Sequence, residues 1–175
     1  GGVMWMYNFV DDLAKNTDAA PIARPLTMIV SSLGAAFGCV VAAVFGERFG
    51  RRPVYAIMCL LSMAVMFGFF RLNTHFGWEF LLSAGLLGAV TASFYGWLPL
   101  YLPELFRTGM RATGQGFGFN FGRVIAAVGA LQTGALLKAF DNDYGQACSV
   151  AAGVYIFGLI LIYFAPETRG KPLPD

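Results

Sequence analysis

The chain has 175 residues, of which 57% are hydrophobic and only 13% charged, with a mean hydropathy of +0.63. A soluble domain carries roughly 25% charged residues and a disordered chain needs low hydrophobicity, so this composition disfavours both. Twelve basic residues against ten acidic ones give a net charge of +2, which lacks the basic stripe of a nucleic-acid binder.

In chain order, the sequence opens on Gly1-Gly2 and enters an apolar run at once. No basic region precedes that run, so no signal peptide is expected, and the chain reads as a piece of a longer protein. The opening run, Gly1–Val10, is half a membrane span. Leu26–Phe45, Val54–Phe70, Phe80–Leu102 and Ala147–Ala165 follow, each without a charge, and Ala112–Leu137 holds the single charge Arg123. About 20 helical residues cross a hydrocarbon core. A barrel would instead show short alternating segments. The expected fold is all-α and integral to the membrane: five full transmembrane helices plus part of a sixth. Gly34 and Gly38, and then Gly114, Gly118 and Gly122, stand four apart and are expected to bring helix backbones close together. The three cysteines, Cys39, Cys59 and Cys148, lie in apolar runs without metal or disulfide spacing and read as buried thiols.

The segments between spans set an orientation. Asp11–Pro25, Arg71–Glu79 and Lys138–Gln146 hold four basic residues, whereas Gly46–Pro53, Pro103–Arg111 and Pro166–Asp175 hold seven. The positive-inside rule places the second group, and the C-terminus with it, in the cytoplasm. Short loops without glycosylation sequons fit a bacterial inner membrane.

The cytoplasmic group contains three charged constellations: Glu47-Arg48-Phe49-Gly50-Arg51-Arg52-Pro53, Pro103-Glu104-Leu105-Phe106 with Arg111, and Pro166-Glu167-Thr168-Arg169-Gly170. Arginines beside a membrane also anchor loops to anionic headgroups. Here Gly50 permits a sharp turn, and Glu104 and Glu167 lie at the depth of Arg48, Arg51, Arg52 and Arg111. Arg–carboxylate pairs withdrawn from water are strong, and a cluster that forms in one conformation and breaks in another acts as a gate.

In this order and spacing the three motifs resemble the second half of a major facilitator superfamily transporter. E-R-x-G-R-R resembles the signature loop between helices 8 and 9, P-E-L-F-x-T-x-x-R the loop between helices 10 and 11, and P-E-T-R-G the tail after helix 12 in sugar-porter-like members. Arg107 stands where the family often has Pro, and Ala43 where the signature loop often begins with Gly. The resemblance implies a six-helix half of that fold over residues 1–175, from late helix 7 to helix 12, paired with an N-terminal half. It also implies an intracellular salt-bridge lock built from Glu47, Arg48, Arg51, Arg52, Glu104, Arg111 and Glu167.

Arg123 lies 12 residues past Arg111, which is about 18 Å up a helix and so near mid-membrane. A charge there is costly and marks an interior pathway. Asn120 shares its helix face. A guanidinium matches a carboxylate bidentately, so Arg123 and Asn120 are read as substrate-binding, with Tyr95 and Trp97 as candidate cavity aromatics ahead of Pro99. The stretch from Ala112 to Arg123 is similar to bacterial metabolite:proton symporters. Organic-anion members carry an Arg at this offset, whereas sugar porters tend to have an aromatic.

The chain's single histidine, His75, reads as a loop residue, and no catalytic or metal motif occurs. No enzyme activity, cofactor, metal or nucleic-acid partner is expected. The expected partners are the lipid bilayer, a small-molecule substrate, a coupling proton and the N-terminal half. The reading is a secondary transporter moving a small organic anion or sugar-like metabolite by alternating access. The alternatives are a neutral sugar porter with a structural Arg123, or a non-transporting membrane sensor on the same fold.

Overall fold

A computed structural model describes residues 2–131, 133–141 and 143–174. The architecture is all-α, and no strand occurs among the described residues. The helices are α1 (Gly2–Ala14), α2 (Ala20–Phe49), α3 (Arg51–Leu72), α4 (Trp78–Leu105), α5 (Arg111–Leu131), α6 (Thr133–Ala139), α7 (Tyr144–Ala152) and α8 (Val154–Phe164). The first four helices run past the ends of their apolar stretches, because backbone hydrogen bonding continues into the polar boundary where charged side chains reach water. The segment expected as a loop from Asp11 to Pro25 is therefore largely helical, interrupted only between Ala14 and Ala20.

Four stretches are long and apolar enough to cross a membrane: Ala20–Phe49, Arg51–Leu72, Trp78–Leu105 and Tyr144–Phe164. The last joins α7 to α8 through Gly153, whose backbone stays right-handed helical at φ −56° and ψ −24°. Asp143 starts it by accepting the Gln146 N–H at 3.1 Å. The fifth expected span divides between α5 and α6, with Gln132 outside the described residues. α5 is long enough at 21 residues, but Gln115, Asn120, Arg123 and its glycines make it less apolar than the others.

α2 and α4 form the tightest pair. In lipid no hydrophobic force drives helices together, so close approach depends on small residues. A Cβ at Gly34 would lie 2.0 Å from the Gly85 carbonyl oxygen, one at Gly38 2.0 Å from that of Ala89, and one at Gly88 2.2 Å from that of Ser31. No side chain fits there without parting the helices. Gly114 packs on the Phe106 ring and Gly118 faces Leu102, but Gly122 has open space before it. The α5 glycine stripe therefore contacts α4 only over its first two turns.

Two apolar cores lie at opposite ends of the bundle. One gathers Trp5, Met6 and Val10 of α1 with Phe69, Phe70 and Phe80. The other gathers Ala42, Val54, Met58, Trp97, Tyr101 and Ile162, and it carries the charged junction on its end.

Candidate functional site

The turn from α2 into α3 is a single residue, Gly50, at φ +107°. A side chain there is strained by backbone geometry, and its Cβ would also stand 3.2 Å from Glu167 Oε2. The turn leaves the first amides of α3 without helical partners. Glu167 takes them: Arg51 N–H donates to Oε1 at 2.9 Å and Arg52 N–H to Oε2 at 3.0 Å. The Thr168 and Arg169 amides donate to Oε1 as well, each at 3.1 Å. Burial pushes the Glu167 carboxyl up, and these backbone N–H groups more than offset it, holding it below the usual carboxylate range. A carboxylate at a helix N-terminus is also favoured by the helix dipole.

The Arg51 side chain turns to α4. Its Nε donates to Glu104 Oε2 at 3.0 Å and its Nη2 to Oε1 at 2.5 Å. Only 9% of the Arg51 side chain and 16% of the Glu104 side chain remain exposed, so this bidentate pair is withdrawn from water. The Thr168 hydroxyl adds a third bond to Glu104 at 2.5 Å. Trp97 Nε1 donates to the Arg51 carbonyl at 3.0 Å, and the Tyr101 hydroxyl to the Pro166 carbonyl at 2.8 Å. Arg51 Nη1 is buried and has no partner among the described residues. One residue thus ties together the start of α3, the end of α4 and the segment after α8.

The other charges of the three motifs go elsewhere. Arg52 sends its Nε to the Ile162 carbonyl at 3.2 Å and an Nη2 to that of Tyr163, so its guanidinium closes the end of α8 and only its amide meets an acid. Arg111 bonds the Pro103 carbonyl at 3.2 Å, the Thr108 hydroxyl at 3.3 Å and the Pro174 carbonyl at 3.1 Å. Glu47 and Arg48 are exposed, and Arg48 lies over the Phe49 ring. The structure therefore brings together Arg51, Glu104 and Glu167, and holds the remaining four at the edge. Thr168, Trp97 and Tyr101 complete the junction and were not singled out for it by the sequence. The short T-R step after Glu167 was the available signal for Thr168.

The residues read as substrate-binding separate in a similar way. Trp97 is 2% exposed and belongs to the core beneath the junction, so its place is inside this bundle rather than on an open face. Tyr95, two residues away on α4, is 56% exposed and meets Phe119 of α5 edge-on at 6.2 Å. The Arg123 guanidinium lies over the other end of that contact, 5.4 Å from the Phe119 centroid. Asn120 is exposed and donates to the Gly116 carbonyl at 2.8 Å. Tyr95, Phe119, Asn120 and Arg123 thus form one open face across α4 and α5. Arg123 makes no ion pair among the described residues. Phe119 was not foreseen, although its i, i+4 spacing from Arg123 could have found it.

A membrane bundle of this topology, with charged motifs tied at the ends of α3, α4 and α8, belongs to a known class. The description of the Major Facilitator Superfamily matches residues 3–175, and the chain belongs to that family. It is 30% identical over 93% of its length to the probable 4-methylmuconolactone transporter of Cupriavidus pinatubonensis, covering 37% of that protein. It is 27% identical over 85% of its length to a glycine betaine/proline/ectoine/pipecolic acid transporter of Dickeya dadantii, covering 30% of it. An inner membrane metabolite transport protein of Escherichia coli is 27% identical over 94% of the chain, which covers 39% of it. The chain thus spans well under half the length of these curated relatives.

Proposed function

We propose that this chain is the C-terminal half-domain of a secondary transporter that moves a small organic anion, or a sugar-like metabolite bearing an acid, by alternating access. The observation that carries the substrate class is Arg123, a permanent cation about 18 Å along α5 from Arg111, exposed and without a carboxylate partner among the described residues. A charge at that depth faces a cavity rather than lipid, and a guanidinium above an aromatic ring presents its free N–H groups to a planar carboxylate. Asn120 and Tyr95 stand on the same face to contact the rest of the substrate. The names of the relatives, transporters of 4-methylmuconolactone and of glycine betaine, proline, ectoine and pipecolic acid, support transport of small metabolites.

The Arg51–Glu104–Glu167 junction would be the cytoplasmic latch. Its bonds cross three chain segments, so separating one segment from the others would break several of them at once, as a two-state gate requires. An N-terminal half would complete the cavity, and a proton would drive uphill uptake.

Ligand-dependent stability of the intact protein in detergent tests this reading. A ligand that binds only the folded state raises stability by about 2.7 kcal/mol at 100-fold its dissociation constant. Small carboxylates should raise the melting temperature, and Arg123→Gln should remove that rise. A rise with neutral sugars that survives the substitution would overturn the anion reading.

A further inference from the structure

α5 carries two pairs of side chains at i, i+4 spacing on nearly opposite faces. Phe117 and Phe121 stack on each other with ring centroids 5.7 Å apart, and both are exposed. Phe119 and Arg123 stand about 200° round the helix from them. In this second pair the later residue is a cation, and its guanidinium lies over the Phe119 ring at 5.4 Å from the centroid.

The ring is itself held from α4, where Tyr95 meets it edge-on at 6.2 Å. The α2–α4 seam fixes how α4 is turned at this level. A Cβ at Gly96 would lie 2.1 Å from the Cys39 carbonyl oxygen, and the Cys39 thiol donates to the Ala92 carbonyl at 3.1 Å. Beyond Gly118 the glycines of α5 leave α4, and a Cβ at Gly122 would meet nothing within 4 Å. The Tyr95–Phe119 contact therefore carries the order of α4 outward to Arg123.

Arg123 has few other supports. It is exposed, α5 carries no acid, and α4 carries none from Phe80 to Pro103. Asn120 directs its amide N–H to its own helix, at the Gly116 carbonyl. A long side chain that becomes ordered only on binding loses conformational freedom at that moment, which weakens binding. A ring beneath the guanidinium removes part of that freedom beforehand.

We propose that Phe119 is a positioning residue: braced by Tyr95, its ring holds the Arg123 guanidinium in the orientation that receives the substrate carboxylate. The proposal rests on the reading of Arg123 as the anion receptor, and Phe119 acts through Arg123 rather than on the substrate.

The test uses the intact protein in detergent with benzoate as the probe. It reads the benzoate concentration that gives half of the full rise in melting temperature. Phe119→Leu keeps apolar bulk but removes the ring, and should raise that concentration about threefold. Phe119→Tyr restores a ring and should return it to the wild-type value. Replacing Phe119 by a trifluorinated phenylalanine keeps the shape and drains negative charge from the ring face, so it should act like Phe119→Leu. Packing alone would not respond to it. A label that needs no ligand completes the test: the fluorine NMR resonance of para-fluorophenylalanine at position 119 should shift on Arg123→Gln and on Tyr95→Leu. An unmoved resonance in either variant overturns the proposal. A benzoate response that needs Arg123 but is the same in the trifluorinated protein overturns the positioning role alone. A response that survives Arg123→Gln overturns the anion reading beneath it. Should benzoate leave the wild type unmoved, the resonance decides.

Discussion

Two arginines of this chain, Arg51 and Arg123, show how differently one residue type can be used. Arg51 is buried against Glu104, braced by Thr168, and its carbonyl is held by Trp97. Arg123 stands on an exposed helix face with one ring beneath it. The first has its charge answered inside the chain, so its effect is to fix three segments relative to one another. The second has no carboxylate partner among the described residues, and on the proposed reading its charge is left for a ligand. Removing the partner of a satisfied buried ion leaves an uncompensated charge and costs stability. If Arg123 serves recognition as proposed, removing it should cost binding and leave the fold alone.

The sharpest way to break this contrast is Arg123→Gln. Uptake of an acidic substrate should fall by about 100-fold, the loss expected when a charge-assisted bidentate contact is removed, with the melting temperature of the unliganded protein unchanged. Loss of folding would show that Arg123 belongs with Arg51. Glu104→Gln should do the opposite. It strands Arg51, whose Nη1 already lacks a partner, and should destabilise the protein by about 3 kcal/mol. Cysteine labelling should report greater accessibility of the segment around Arg51. A variant with wild-type stability and labelling would remove the junction from the latch.

The all-α class, the apolar helices and the tight α2–α4 pair were legible because apolar runs and small-residue spacing are one-dimensional patterns. The grouping of three motifs at one bundle end was legible because alternate loops of a bundle share an end. The pairing among their charges was not. Seven residues of the right type lie within reach, and the choice depends on which direction each leaves its helix. Arg51 and Arg52 are adjacent in sequence, yet one side chain turns to α4 and the other to α8, because successive helix positions are about 100° apart. Tyr95 and Trp97 divide for the same reason, one open and one buried. The expected loop at Asp11–Pro25 failed because charge was read as a helix end, whereas Arg24 reaches Asp11 across the turn while both remain helical.

A smaller effect tests whether Trp97 belongs to the junction or to a cavity. Trp97→Phe keeps an aromatic ring over Tyr101, now 4.7 Å away, but removes the N–H that satisfies the Arg51 carbonyl. The cost should be about 1 kcal/mol, with transport affinity unchanged. A change in substrate affinity without a change in stability would place Trp97 in the cavity with Tyr95.

The smallest expected effect is a pH dependence centred on Glu167. Its folded carboxyl titrates below the usual range because four backbone amides stabilise the charged form. The unfolded chain therefore binds the proton more readily, and stability must fall as protons are added. The contribution is complete above the ordinary glutamate value of about 4.3 and is lost as pH drops through it toward the lower folded value. Melting temperature should be flat in this respect between pH 7 and 5 and decline below. Glu167→Gln should start lower at neutral pH and decline less, because it has no proton to gain. Parallel declines in the two proteins would show that the amides at the start of α3 hold a dipole as well as a charge, and that the ionised form of Glu167 is not what secures the junction.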